Sequence, residues 1–160
     1  MSNAKVNRSI NFLISIPDII NNMSDRYKVK IVALVILEKD NQILLTKRYN
    51  TGWEDGKYNV PSGHVEEGEM PLKTAIRETI EEIGVSINQE DLELVHVDFF
   101  DNYIHLYFKA NKWLGEPQIM EPDKCDQILW VNYNNLPNNL AGHGKETLKA
   151  IANKLYYSEY

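Results

Sequence analysis

The stretch from Gly63 to Val85 constrains this chain more than any other, because it combines a helical repeat with a dense group of acids. Pro71 suits the first turn of a helix, and Gly84 suits a C-terminal cap. Between them, apolar or partly apolar residues recur at spacings of three and four. These residues are Leu72, Ala75, Ile76, Thr79, Ile80 and Ile83. The pattern predicts an amphipathic helix that buries one face.

Three glutamates, Glu78, Glu81 and Glu82, fall together on the remaining surface of this helix, at positions i, i+3 and i+4. Like charges at these spacings destabilise a helix unless a positive group lies among them. Arg77 alone cannot balance them together with Glu69. A hard divalent cation such as Mg²⁺ can, because it binds carboxylate oxygens and substrate phosphates. The alternative interpretation is a solvated acidic face.

The spacing of this stretch resembles the signature of the Nudix hydrolases, G-x5-E-x7-R-E-U-x-E-E-x-G-U, in which U is a bulky apolar residue. The match runs from Gly63 through Glu69 to Arg77–Val85. Thr79 departs from the pattern at the first U position, although its methyl group can still pack inward. The resemblance implies the Nudix fold, an α+β architecture with a mixed central β-sheet sandwiched between α-helices.

The rest of the chain reads as strands followed by a closing helix. Residues 29–37 form a continuous apolar, β-branched run, which is typical of a strand buried on both faces. Further strands are predicted at 42–48, 58–60, 92–100, 103–110 and 128–131. A terminal helix is predicted at about 145–156, with a core stripe of Leu148, Ile151, Ala152 and Leu155. We therefore expect an N-terminal extension over residues 1–24 and a Nudix hydrolase domain over residues 25–160.

Composition limits the partners and the compartment. A net charge of −6 argues against general nucleic-acid binding, which needs a basic surface. No run approaches the roughly 20 apolar residues of a membrane span, so no membrane association is expected. The single Cys125 fits a reducing compartment, and we expect a cytoplasmic protein. The apolar segment at residues 10–20 needs burial on the domain or on a second subunit, which is compatible with a homodimer.

The resemblance also implies the chemistry of a site. Nudix enzymes use Mg²⁺ or Mn²⁺ to hydrolyse a nucleoside diphosphate linked to another group. By position, Gly63 (through its carbonyl), Glu78 and Glu82 are the expected metal ligands, with Glu81 assisting. Arg77 and Glu69 are expected to support catalysis, Arg77 by orienting a glutamate and Glu69 as its partner. The general base is either a glutamate of this stretch or an acid on a later loop or turn, for which the candidates are Asp98, Asp101, Glu121, Asp123 and Asp126.

Substrate contacts are less strongly marked by sequence. The candidates are Arg48, Trp53, His64, Glu121 and Asp123. Arg48 suits a phosphate, and Trp53 suits stacking on a base. His105 lies inside an apolar strand and is expected to be structural. His143 lies between two glycines and is expected to be exposed.

The resemblance implies a small-molecule nucleotide substrate. Because the chain is short and resembles MutT-like enzymes, we expect a nucleoside triphosphate that is cleaved to a monophosphate and pyrophosphate. One alternative is an ADP-ribose or nucleotide-sugar pyrophosphatase. Another is a non-catalytic nucleotide-binding Nudix domain, although such domains tend to lose glutamates that this chain keeps. An isoprenyl diphosphate isomerase would need a catalytic cysteine, and the position of Cys125 fits that role poorly.

Overall fold

A computed structural model describes residues 27–160 of the chain. The predicted N-terminal extension, and the homodimer expectation that depends on it, fall on residues outside this range. The strands are β1 (Lys30–Lys39), β2 (Gln42–Arg48), β3 (Tyr58–Asn59), β4 (Ser62–His64), β5 (Glu93–Phe100), β6 (Tyr103–Ala110), β7 (Cys125–Val131) and β8 (Tyr157–Glu159). The helices are α1 (Pro71–Ile83) and α2 (Gly144–Ala152).

The strands form one mixed sheet in the order β3-β2-β1-β6-β5-β8, with β4 added to β1 and β7 added to β2. Strand β1 lies at its centre and pairs parallel with β6 but antiparallel with β4. The β5–β8 pair is also parallel, whereas β5 and β6 form an antiparallel hairpin. This hairpin turns at Asp101, whose φ of 53° is the left-handed conformation that tight turns require.

Alternate residues of β1 enter two separate cores, which explains its uninterrupted apolar sequence. On one face, the core joins Val32, Leu34 and Ile36 to Leu148 and Ile151 of α2. On the other face, the core joins Ala33, Val35 and Leu37 to Ala75 and Ile83 of α1. The sheet therefore lies between the two helices, and the predicted α+β Nudix architecture is confirmed. Neither helix within residues 27–160 is long and apolar enough to cross a membrane.

Helix α1 begins and ends where the sequence predicts. Pro71 is its first residue, and Gly84 caps it with a left-handed φ of 69°. The Gly84 N–H donates to the Ile80 carbonyl at 3.1 Å, which satisfies one of the free carbonyls of the last turn. Thr79 is fully buried, and its hydroxyl donates to the Ile76 carbonyl at 2.9 Å, so the polar group is satisfied inside the core.

The prediction of a buried apolar stripe on α1 is wrong for one residue. Ile80 is 47% exposed, because the face of α1 that meets the sheet follows Ala75, Thr79 and Ile83 at spacings of four. Each helical residue is rotated about 100° from the one before it, so Ile80 lies beside this face.

The C-terminal prediction is also wrong in part. Helix α2 ends at Ala152 rather than near Tyr156, and Lys154 then adopts a left-handed φ of 58°. The chain next forms β8, which the sequence did not predict. Leu155 therefore lies beyond the helix and is exposed. Ala152, the last residue of α2, is also exposed, so neither residue belongs to the core stripe. Strand β7 also begins three residues earlier than predicted, at Cys125.

Candidate active site

A cavity of about 950 Å³ opens beside β4 and α1 and continues along β5 and β6 to the start of α2. We call its two parts the acidic end and the aromatic end. The acidic end is lined by Gly63, Glu78, Glu81, Glu82 and Glu121. The aromatic end is lined by Asp98, Tyr103, His105, Tyr107, His143 and Tyr160.

Arg77 ties together the glutamates of α1 and the loop before it. Its guanidinium donates to Glu69 at 3.0 and 3.1 Å, to Glu78 at 2.6 Å and to Glu81 at 3.1 Å. Glu69 also accepts from the Thr74 hydroxyl at 2.7 Å, and it does not line the cavity. The bonds from Arg77 and Thr74 lower the pKa of Glu69 to about 2. Glu69 therefore anchors Arg77 from behind, and Arg77 holds Glu78 and Glu81.

Position 63 requires glycine because the Glu78 side chain approaches it closely, and not because of its backbone conformation. It lies in the middle of β4, paired with Ala33 of β1, directly beneath Glu78. A Cβ atom at this position would overlap the Glu78 carboxylate, and the φ of Gly63 is outside the left-handed region. The absence of a side chain at Gly63 therefore leaves room for the Glu78 carboxylate directly over β4.

The carboxylates of Glu78 and Glu82 are crowded and partly withdrawn from water. Glu82 accepts one bond, from the Ser62 N–H at 3.3 Å. Burial, reinforced by the charge of Glu78, raises the pKa of Glu82 to about 8. Burial also raises the pKa of Glu78, although Arg77 opposes it. Both shifts reflect carboxylates crowded together at the acidic end, where Arg77 pairs with Glu78 and Glu81 but not with Glu82.

The predicted metal ligands lie around the same end of the cavity but are not arranged as a finished ligand set. Glu78 and Glu81 are turned towards Arg77, whereas Glu82 is turned towards the backbone of β4. Among residues 27–160, no three His, Cys, Asp or Glu side chains converge at metal-binding distance. The donors present are carboxylate oxygens and the Gly63 carbonyl, which are the ligand types that Mg²⁺ and Mn²⁺ prefer.

The loop before β7 is attached to the end of α1. The Met120 N–H donates to the Glu82 carbonyl and the Gln118 N–H to the Ile83 carbonyl, each at 3.0 Å. These bonds use carbonyls that the end of a helix leaves free. They place Glu121 at the cavity, where its charge acts on both Glu78 and Glu82.

The other acids and bases near this loop differ in position. Lys124 pairs with Glu121 at 2.7 Å and also lines the cavity. Asp123 is exposed and does not line it, and Asp126 pairs with Lys47 at 3.3 Å. Lys124 is a cavity cation that the sequence analysis did not identify, since nothing in its local sequence distinguishes it.

Arg48 and Trp53 form a unit at the edge of the cavity. The Arg48 guanidinium lies 4.8 Å from the centre of the Trp53 ring and donates to the Trp53 carbonyl at 2.8 Å. The segment that follows Trp53 is attached to the residues before α2, because the Gly142 N–H donates to Glu54 at 2.6 Å. His64 also lines the cavity and is exposed.

The aromatic end contains a buried hydrogen-bond network that the sequence analysis largely missed. Asp98 and His105 are cross-strand partners in the β5–β6 register, with 2.6 Å between Asp98 Oδ1 and His105 Nδ1. The Thr147 hydroxyl lies 3.3 Å from Asp98 Oδ2. His105 was expected to be structural, but it lines the cavity. The signal was available in the alternation of Tyr103, His105 and Tyr107 along β6, which places the three on one face.

Comparison with known proteins agrees with this architecture. The family model for the NUDIX domain matches residues 27–152. The 8-oxo-dGTP diphosphatase of Escherichia coli (strain K12) is 30% identical over 114 residues, which are 69% of this chain and 88% of that protein. The ADP-ribose pyrophosphatase of Methanocaldococcus jannaschii is 32% identical over 69% of this chain and 66% of its own length.

Among solved structures, a MutT NUDIX hydrolase from Burkholderia pseudomallei superposes with a TM-score of 0.70 at 26% identity. The match covers 76% of this chain and 97% of that one. The family match therefore covers the whole of the sheet and both helices except for β8. The chain belongs to the Nudix family, as a MutT-like hydrolase that acts on phosphoric anhydrides.

Proposed function

We propose that this protein hydrolyses a nucleoside triphosphate, with 8-oxo-dGTP as the preferred substrate, to the monophosphate and pyrophosphate, and that it needs Mg²⁺ or Mn²⁺. One observation carries the proposal: a single cavity has oxygen donors for a cation at one end and ring-stacking surface at the other. Its volume of about 950 Å³ is at the upper end of ordinary ligand pockets, which suits a nucleotide.

The acidic end would hold the cation. Glu78 and Glu82 would be the principal ligands, with Glu81 and the Gly63 carbonyl contributing further oxygens. The absence of a side chain at Gly63 supports this assignment, because it lets the Glu78 carboxylate approach the backbone of β4 at this residue. A divalent ion bound here would neutralise phosphate oxygens and make water a stronger nucleophile.

The remaining residues would orient and neutralise the substrate. Arg77 and Glu69 keep the glutamate side chains in place, which is the positioning that a phosphoryl-transfer site depends on. Arg48 and Lys124 are cations at the cavity and suit the triphosphate, and Trp53 suits the base or sugar. Among the later acids, Glu121 is the one that lies at the acidic end of the cavity, and we assign it the role of general base. Asp123 stays a prediction, since its side chain does not line the cavity.

The similarity to an ADP-ribose pyrophosphatase supports a second candidate, a substrate that yields two monophosphates. The triphosphate is favoured because the match to the 8-oxo-dGTP diphosphatase of E. coli spans 88% of that protein, against 66% of the ADP-ribose pyrophosphatase.

A substrate panel tests the proposal. Purified protein with Mg²⁺ is incubated with 8-oxo-dGTP, dGTP, ADP-ribose and a nucleotide sugar, and all products are separated by ion-exchange chromatography. We expect the highest kcat/KM for 8-oxo-dGTP, with 8-oxo-dGMP and pyrophosphate as the only products. Faster release of AMP and ribose 5-phosphate from ADP-ribose would replace the first candidate with the second. If no compound is turned over, the result would favour the alternative that this chain is a non-catalytic nucleotide-binding domain.

A further inference from the structure

We propose that His105 is a specificity-determining residue, whose Nε2 accepts a hydrogen bond from the N7–H group of an 8-oxoguanine base. In this proposal Asp98 is a positioning residue that holds the His105 imidazole in the required tautomer. The inference rests on the proposed function, since it assigns the base-recognition element of the same cavity.

The contact between Asp98 and His105 fixes where the imidazole carries its proton. Asp98 Oδ1 and His105 Nδ1 are 2.6 Å apart, and Asp98 is only 2% exposed. An ionised carboxylate can accept hydrogen bonds but cannot donate them, so Nδ1 must be the donor. In the neutral imidazole the other nitrogen, Nε2, is then an acceptor.

Asp98 itself is not available to a ligand. Its second oxygen, Oδ2, is 3.3 Å from the Thr147 hydroxyl. The Thr147 hydroxyl is in turn 3.1 Å from the Tyr160 hydroxyl. With both oxygens engaged and the residue only 2% exposed, Asp98 orients His105 and offers a ligand no free oxygen.

His105 presents its remaining nitrogen to the cavity. Its side chain is 23% exposed and lines the cavity, and Nε2 has no hydrogen-bond partner within the part of the chain that the structure describes. Tyr103 stacks on the ring at 5.9 Å between centroids, and Tyr107 meets it edge-on at 6.5 Å. These two contacts restrict the ring plane, so the direction of the Nε2 lone pair is set before a ligand arrives.

The comparison with His96, on the neighbouring strand β5, shows the contacts of a structural histidine in this part of the fold. His96 is 1% exposed, and both of its ring nitrogens are engaged, one with the Leu155 carbonyl and one with the Ser158 hydroxyl, each at 2.8 Å. His105 has one engaged nitrogen and one turned to the cavity, which is the pattern of a group that binds a ligand.

A fixed acceptor at this place separates oxidised from normal guanine. Guanine carries a lone pair at N7, whereas 8-oxoguanine carries an N7–H donor and a carbonyl at C8. The acceptor Nε2 pairs with the N7–H of 8-oxoguanine but faces the N7 lone pair of guanine. When guanine is bound, two acceptors would face each other without a hydrogen bond. A site of this kind discriminates strongly against the wrong ligand.

Equilibrium binding of the two product nucleotides, 8-oxo-dGMP and dGMP, tests this inference without requiring turnover. Isothermal titration calorimetry is done with the intact protein and with Asp98→Asn, His105→Gln and Asp40→Asn. We expect the intact protein to bind 8-oxo-dGMP on the order of tenfold more tightly or better, the range of one mismatched hydrogen bond. Asp98→Asn should bring the ratio of the two dissociation constants close to one, because an amide can offer either its oxygen or its NH₂ to Nδ1. His105→Gln should do the same.

Asp40→Asn is the matched control, since it makes the same chemical change in the exposed β1–β2 turn and should leave the ratio unaltered. If Asp98→Asn fails to fold, as judged by thermal unfolding, His105→Gln decides, because the His105 side chain is partly exposed. The inference is overturned if His105→Gln folds and keeps the same ratio of dissociation constants as the intact protein. It is also overturned if the intact protein binds 8-oxo-dGMP and dGMP equally well. Preference in binding without any hydrolysis of 8-oxo-dGTP would instead contradict only the proposed function.

Discussion

Replacing Gly63 by alanine is the smallest change that disturbs the acidic end. The added Cβ would occupy the place of the Glu78 carboxylate, and the backbone at this position accepts an L-residue without strain. Glu78 must therefore rotate away and give up its 2.6 Å bond to Arg77. The effect on activity should be large and the effect on the fold small, because the side chain that moves is not part of either core.

The magnitudes follow from what is lost. A hydrogen bond between charged groups contributes about 1.5–3 kcal/mol, and the partial exposure of Arg77 reduces this to roughly 1–2 kcal/mol. A domain of this size would then lose about 3–8 °C in Tm. Displacing a ligand or its support typically lowers metal affinity or activity by about 10–100-fold, so we expect a loss in kcat/KM at least that large.

The assay is Mg²⁺-dependent pyrophosphate release combined with thermal unfolding. Gly68→Ala is a matched control, because Gly68 has a φ of 81° and no atom within 4 Å of an added Cβ. It should cost about 1–2 kcal/mol through backbone strain while activity is retained. In a Glu78→Ala background, Gly63→Ala should add no further loss if it acts through Glu78. Gly63→Ala protein with normal kcat/KM would refute the reasoning.

Three further predictions concern the same helix. Arg77→Lys should lower kcat/KM about 10–100-fold and lower the Tm, because one ammonium cannot replace a guanidinium that bonds three glutamates; unchanged steady-state kinetics would contradict this. Arg77 also lowers the pKa of Glu69 from 4.5 to about 2, so its stabilising effect is complete above pH 4.5 and is lost as the pH falls towards 2. Urea unfolding at pH 3 and pH 6 should show a smaller difference in Glu69→Gln than in the intact protein, and an equal difference would exclude this role. Gly84→Ala should lower the Tm by several degrees, because it strains a φ of 69° and brings a Cβ within 3.0 Å of the Met120 sulfur; the movement of that loop should also lower activity through Glu121.

The features of this fold that sequence predicts are those set by local spacing. The bounds of α1 follow from Pro71, Gly84 and the apolar repeat, and the buried strand β1 follows from its continuous β-branched sequence. The end of α2 was missed because Leu155 continues the apolar repeat. The helix stops instead at the left-handed turn at Lys154, and β8 is stabilised by pairing with β5, a strand far away in sequence.

The residues of the candidate site also fall into those that local spacing reveals and those that depend on contacts between distant segments. The glutamates of α1 are recognisable because their spacing lies within one helix. The pairing of Asp98 with His105 depends on the register of two strands, and that register shifts at an irregularity between Leu94 and His96. A shift of one residue would turn either side chain to the opposite face. The sequence alone could not therefore show that these residues share a cavity with the glutamates.

The most direct test of the account is the cleavage of 8-oxo-dGTP by the intact protein and by Glu82→Gln, each with Mg²⁺ and with EDTA. Glu82 lies at the acidic end and outside both cores, so the variant should fold normally. The account predicts 8-oxo-dGMP and pyrophosphate from the intact protein with Mg²⁺, and a loss of turnover by orders of magnitude in EDTA or in the variant. Full activity of Glu82→Gln, or release of orthophosphate in place of pyrophosphate, would contradict it.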